Sequence, residues 1–281
     1  MGPVSFKKLL LVFLTGILFM SQSITVKAEA AYLKSKDVTL MNIGTQKVEG
    51  KIHLKGDSKQ KQIKVLLIKD EEKKWYELPL KEGKFDEEIW LTMGKGKYTA
   101  AIMIHEEGRK YSYGPKITVE NVGEVNPFLV PVKHVESNDE KIIQLAEKLI
   151  EDKTTDREKA KAIYDWVTGN ITYDYEKFGK HQEGDYDNTY GALHTLETKK
   201  GVCYDYAALT ASLGRAVGLQ TKVVKGQVSS ELYKGYHAWN EIYLADENQW
   251  IFLDSTFGVG GKKEYFDKKQ SELSHSKQEE L

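Results

Sequence analysis

Gly201-Val202-Cys203-Tyr204-Asp205-Tyr206-Ala207-Ala208-Leu209 runs on through Thr210 to Val217 and stops at Gly218. Within it Cys203, Tyr206, Ala207, Thr210, Leu213, Gly214 and Val217 recur at helical spacing, and Gly218 is a stop signal. The pattern predicts an amphipathic helix with the chain's single cysteine in its first turn. Unpaired N–H groups and the positive end of the helix dipole favour a thiolate there. The bland alternative is a small packed side chain on the apolar face, and position alone leaves both open. An exported chain usually has paired cysteines or none, so one leftover thiol invites a chemical reading.

Downstream, three runs read as strands: Thr221 to Val228, His237 to Leu244, and Trp250 to Asp254. The polar stretch Ala245 to Gln249 folds the last two into a hairpin. Facing residues of an antiparallel pair share a sheet face. A register that sets Trp239 opposite Asp254 makes His237 and Asp254 diagonal neighbours on one face. Pairing His237 directly with Asp254 brings them closer, and a one-residue slip sends them to opposite faces. On one face, the carboxylate orients the imidazole and leaves its second nitrogen for the thiol. Singly, His237 also reads as a strand-end histidine bonded to a carbonyl, and Asp254 as a cap for the turn at Asp254-Ser255-Thr256.

Upstream, the chain divides by pattern. Lys7 and Lys8 precede an apolar run from Leu9 to Met20, and Ala28-Glu29-Ala30 offers a small-x-small cleavage site. Residues 1–30 therefore read as a secretory signal peptide, too short in its apolar run to span a membrane. The expectation is a secreted protein, at the cell surface or free, with no membrane span in the mature chain. Residues 1–30 hold three Lys and one Glu, a net of +2; with −1 overall, the mature chain carries about −3. Such a balance gives no electrostatic footprint for nucleic acid or an anionic membrane.

Residues 31–131 read as an all-β domain. Val38–Ile43, Val48–Leu54, Ile63–Lys69, Lys74–Leu80, Phe85–Leu91, Tyr98–His105 and Lys116–Val122 are short strand-like runs between polar turns, as in a small immunoglobulin-like sandwich. Gly123 to Glu136, with Pro127 and Pro131, is the expected linker, and residues 132–281 the second domain. There, Asn138 is placed to cap a helix through Ile150. Thr155-Asp156-Arg157-Glu158 has the form of a capping box for the next, which ends at Gly169. Tyr173 to Asp187 reads as a polar loop, Asn188 to Glu197 as a short helix, and Ser271 to Leu281 as a polar tail that frays or forms a last helix.

Three motifs together resemble the transglutaminase-like superfamily: Gly201-Val202-Cys203-Tyr204-Asp205-Tyr206, His237-Ala238-Trp239-Asn240-Glu241-Ile242, and Trp250-Ile251-Phe252-Leu253-Asp254-Ser255-Thr256-Phe257-Gly258. Ile163-Tyr164-Asp165-Trp166-Val167, Asn170-Ile171-Thr172-Tyr173-Asp174 and Tyr190-Gly191-Ala192-Leu193 resemble its extracellular bacterial members. The resemblance covers about residues 138–268. It implies an α+β, papain-like core, with a nucleophile helix packed on an antiparallel sheet, preceded here by the small all-β sandwich. It also implies Cys203 as nucleophile, His237 as general acid/base and Asp254 as orienter. Acyl transfer through a thioester on protein or peptide amides would follow, by crosslinking or by hydrolysis.

The N–H of Cys203 is then the natural first oxyanion donor. Tyr190 is a candidate second donor, if its hydroxyl reaches the thiol. Trp239 is a candidate cleft wall, with packing inside the sheet as its alternative. No cofactor and no metal is expected. The segment between Cys203 and His237 is too short to carry the calcium sites of the large animal enzymes, and Asp185-Tyr186-Asp187-Asn188 is too short for a calcium loop. Partners would be protein or peptide substrates, cell-wall peptides among them; oligomeric state is not legible. Two other functions fit the same residues: a non-catalytic surface or adhesion module, and a cell-wall peptide hydrolase.

Overall fold

The computed structural model describes residues 32–41, 47–229, 233–259, 265–268 and 274–281. The expected signal peptide lies outside the described residues. The N-terminal part holds β1 (Tyr32–Ser35), β2 (Val38–Met41), β3 (Lys47–Val48), β4 (Lys51–Ser58), β5 (Ile63–Lys69), β6 (Glu72–Leu78), β7 (Lys84–Trp90), β8 (Gly96–His105) and β9 (Tyr111–Asn121). They form two sheets, ordered β1-β2-β4-β7 and β3-β9-β8-β5-β6. Alternate residues of both, among them Leu40, Leu54, Phe85, Val65, Tyr98 and Ile102, share one buried cluster, which makes the pair a sandwich. β1, mostly exposed, escapes the sequence pattern, and the run Val48–Leu54 divides between the two-residue β3 and β4. β9 also starts earlier than read. Its ladder with β8 shifts register opposite Gly114-Pro115, the kind of irregularity at which proline is tolerated within a strand.

The second part holds α1 (Glu140–Ile150), α2 (Asp156–Asn170), β10 (Thr172–Tyr173), α3 (Tyr175–Gln182), α4 (Ala192–Thr198), β11 (Lys200–Gly201), α5 (Cys203–Ala216), β12 (Thr221–Ser229), β13 (Lys234–Leu244), β14 (Gln249–Leu253) and β15 (His275–Glu280). Asp139, one residue later than expected, caps α1. The capping box of Thr155 and Glu158 is present at α2. The sheet order is β14-β13-β12-β15, antiparallel throughout. Together the parts make an α+β protein: helices packed on an antiparallel sheet, preceded by an all-β sandwich.

Two expectations fail here. The polar loop from Tyr173 to Asp187 contains α3, capped by Asp174. Its signal was hidden because the group that anchors it, Lys177, is a buried cation where hydropathy expects solvent. The tail neither frays nor coils: residues 275–280 are a strand. Its polar composition suits an edge strand, whose outer face meets water and whose backbone supplies the binding.

α5 is enclosed. It packs on α1, α2 and α4 on one side and on β12 and β13 on the other. Tyr206, Leu209 and Leu213 enter the main core, while Ala207, Ala208 and Ala211 meet Val223 and Ala238 of the sheet. Asn240 Nδ2 donates to the carbonyls of Ala207 and Lys222, both at 2.9 Å, stitching helix to sheet. The buried Arg215 donates to the carbonyls of Thr221 (2.9 Å), Val130 (2.8 Å) and Leu281 (2.8 Å), joining helix end, linker and β15 side. Truncating a fully buried side chain in such a core typically costs about 2–5 kcal/mol. Leu209→Ala is accordingly expected to lower the denaturant midpoint of the second part, followed by its tryptophan fluorescence, while the sandwich transition stays in place.

Candidate active site

The helix start that carries Cys203 is built by three neighbours. Val202 is the N-cap and offers no side-chain acceptor, but Asp205 Oδ2 returns to the Val202 N–H at 3.0 Å. Asp205 Oδ1 accepts from the Gly191 N–H at 3.2 Å, and Lys177 Nζ lies 2.7 Å from Oδ2. Gly201 is required at this corner, because a Cβ there would stand 2.5 Å from Asp205 Cβ. Lys177 also donates to the Thr189 carbonyl at 2.7 Å and sits 4.7 Å over the Tyr190 ring. This buried ion pair therefore locks α3 and the Tyr190-Gly191 turn to the base of α5. Neither Lys177 nor Asp205 was singled out from sequence, although an acid three residues into a helix is a readable capping signal.

Opposite the thiol, β13 and β14 pair Asn240 with Leu253 and Leu244 with Gln249. One residue further, the same register sets Trp239 opposite Asp254, so His237 and Asp254 fall on one face. His237 Nε2–H donates to Asp254 Oδ2 at 2.8 Å. That leaves Nδ1 for Cys203, whose half-buried side chain shares the cavity wall with the ring and helps hold the imidazole charged. The His237 ring stacks on Phe257 with centroids 4.5 Å apart and planes 14° apart, which fixes its tilt.

Asp254 is fully buried and fully bonded. Oδ1 accepts from the N–H groups of Thr256 (2.9 Å) and Phe257 (3.0 Å), so the aspartate does cap its turn as well as face the histidine. Oδ2 accepts from His237 and from a second imidazole, His275 Nε2, at 3.2 Å. Burial alone would drive this carboxyl up, but the His237 charge, both imidazole hydrogen bonds and the Phe257 N–H hold it well below the carboxylate range. Burial likewise works against a charged His237. The Asp254 carboxylate outweighs it with help from Cys203, and the imidazole pKa is held up to about 10.

His275 was missed because a histidine in a polar tail carries no periodic signal. The donor atoms of His237, Asp254 and His275 lie within 4.8 Å of one another, a set able to hold a divalent transition metal. In this arrangement the same atoms are joined by hydrogen bonds.

A cavity of about 720 Å³ opens over Cys203 and His237. Its walls are aromatic, with Tyr173, Phe178, Tyr190, Tyr204, Tyr233 and Phe257 among them. Tyr190 thus stands beside the thiol's cavity, but its hydroxyl is hydrogen-bonded to His181 Nε2 at 2.7 Å. The oxyanion-donor role considered for Tyr190 therefore has a competing engagement. Trp239 is buried in the core, stacked near His237, and does not line the cavity; it takes the packing alternative. Burial, then the Lys133 charge, pushes His134 on the cavity wall down to about 4, and burial also lowers His181. Lys225 is the one lysine among the lining residues described, and none of them is Asp or Glu.

A model of the transglutaminase-like superfamily core matches residues 143–255, a span that includes Cys203, His237 and Asp254. Residues 143–255 thus resemble the core of the transglutaminase-like superfamily. Kyphoscoliosis peptidase of Mus musculus is 32% identical over 125 residues, covering 42% of this chain and 18% of that protein. A UPF0252 protein of Methanocaldococcus jannaschii is 34% identical over 97 residues, covering 33% of this chain and 27% of that one. The chain thus matches only about a fifth to a quarter of these relatives' length. Among solved structures, red sea bream transglutaminase aligns with a TM-score of 0.32 at 11% identity, over 75% of this chain and 48% of that chain.

Two outcomes follow for the transglutaminase-like domain. A histidine with a raised folded-state pKa adds stability that is full below its ordinary value of 6.5 and is lost as pH climbs through about 10. The depressed Asp254 adds stability that is full above its ordinary 3.8 and is lost as pH falls. The joint contribution is therefore expected to peak between these ordinary values. Asp254→Asn should flatten that pH dependence in urea titrations and lower the His237 midpoint measured by NMR. Lys177→Met, which strands a buried carboxylate, is expected to cost roughly 3–5 kcal/mol in the same titrations.

Proposed function

We propose that this chain is an exported, cysteine-dependent acyl-transfer enzyme that acts on protein or peptide amides through a thioester on Cys203. The observation that carries the reading is the His237 imidazole bonded to the buried Asp254 carboxylate, with the Cys203 thiol beside it at the wall of one open cavity. Nucleophile, base and orienter in hydrogen-bonded series are what covalent acyl transfer requires. Export rests on the charged, apolar and small-residue pattern of residues 1–30.

The steps follow from the atoms. With the thiol proton already held on His237 as a thiolate–imidazolium pair, Sγ adds to the amide carbonyl. The N–H groups of the α5 first turn, Cys203 foremost, lie where developing negative charge needs donors. As the C–N bond breaks, the imidazolium gives its proton to the departing nitrogen, and ammonia or an amine leaves. Water or a primary amine then attacks the thioester, again losing its proton to His237, and Sγ departs. Water makes the enzyme a hydrolase and an amine makes it a crosslinker. Aromatic walls and a lysine favour neutral or acidic segments next to the scissile amide over basic ones, and acidic cell-wall peptides meet that description.

Iodoacetamide alkylation tests the reading without knowledge of the substrate. Cys203 in the unmodified chain is expected to react at pH 6 at least roughly tenfold faster than in His237→Ala. Equal rates would leave a packed thiol on a non-catalytic surface module. Partition of an added glutamine peptide between release of free acid and incorporation of a primary amine then separates hydrolysis from crosslinking.

A further inference from the structure

The Asp254 carboxylate has two imidazoles on one oxygen, and the mechanism above uses only one. His275 comes from β15, pairs opposite Val228 and reaches Oδ2 across the sheet face. Its side chain is 1% exposed. Its other ring nitrogen lies 3.0 Å from Ser274 Oγ. Aromatic rings also pack on it: Trp239 and Phe252 meet it edge-on, each with ring centroids 4.9 Å away, and Phe257 at 6.0 Å. An aliphatic or aromatic side chain would satisfy that packing with no polar group to desolvate. Among the described residues, Asp254, from the end of β14, and His237 of β13, whose ring centroid is 5.9 Å away, are titratable groups that face it.

The backbone is shaped to admit this strand. The β12–β15 ladder shifts register between Lys225 and Gly226. A Cβ at Gly226 would stand 2.0 Å from the Ser276 carbonyl oxygen, so only glycine allows β15 to come this close.

We propose that His275 is a positioning residue for acyl transfer: its Nε2–H fixes Asp254 as an anion in the orientation that serves His237. The inference rests on the functional reading above. A carboxylate held by one imidazole can swing about its last torsion. Two backbone N–H groups on Oδ1 and a second imidazole on Oδ2 remove that freedom. A donor to the charged form also keeps the carboxyl ionised to lower pH. Withdrawing it raises the pH at which Asp254 takes a proton, and a protonated Asp254 no longer supports a charged His237.

The test is the pH profile of Cys203 alkylation by iodoacetamide in the full chain. His275→Phe keeps a buried ring and removes the donor. It is expected to slow alkylation on the order of tenfold at pH 6, as for loss of a hydrogen bond to a charged group, and to move the acid limb up by about one pH unit. His275→Gln, which restores an N–H donor, should recover most of both. Should His275→Phe not fold, imidazole nitrogen NMR of the unmodified chain decides: the inference requires a proton on Nε2 of His275, and an Nδ1–H tautomer overturns it. A profile unchanged in His275→Phe, with alkylation still dependent on His237, overturns this inference alone. Alkylation that is independent of His237 in the parent chain overturns the functional reading and this inference with it.

Discussion

Burial of α5 on every side is the constraint from which the site follows. From Asp205 to Arg215 the helix has no solvent-facing residue. Helices cover one flank and the sheet the other, so its axis cannot shift without opening the core. The alanines at 207, 208 and 211 let its backbone approach β12 and β13 closely, and Asn240 bonds a helix carbonyl directly. Interiors are packed as densely as organic crystals, so such an arrangement transmits position accurately. The practical result is that Cys203, where the start of the helix emerges, stands in a fixed place relative to β13.

The second requirement is electrostatic. Placing a carboxylate where water cannot reach it is costly unless every lone pair finds a donor. Asp254 meets this with four donors from three directions: its own turn, β13 and β15. The solvation lost on burial is replaced by oriented dipoles and one shared positive charge. Because those donors are held by packed strands, the charge directs His237 rather than being neutralised by a proton. The buried Lys177–Asp205 pair applies the same principle on the other side of the thiol, where it fastens the aromatic wall of the cavity to the helix start.

What the sequence disclosed follows from how locally each feature is encoded. Cys203 and its helix were legible because apolar spacing and a glycine stop lie within one segment. The hairpin was legible too, and parity narrowed His237 and Asp254 to a testable register, the one seen in the β13–β14 ladder. α3 was not legible, since it is anchored by a lysine whose burial depends on a partner 28 residues away. β15 was not, since an edge strand is held by backbone pairing and its side chains are free to be polar. His275 belongs to that class: its role comes wholly from a contact 21 residues distant. Tyr190 and Trp239 show the converse, with residue type suggesting a site role and tertiary contacts giving each another engagement.

The central claim is that the Cys203 thiol, served by His237 and Asp254, accepts an acyl group. The most direct measurement is intact-mass and peptide mapping after brief exposure to p-nitrophenyl acetate, an acyl donor that makes little demand on side-chain recognition. The account predicts a single acetyl group on Cys203, acquired faster than in His237→Ala and discharged when a primary amine is added. Acetylation that spares Cys203, or that proceeds at the same rate without His237, would contradict it.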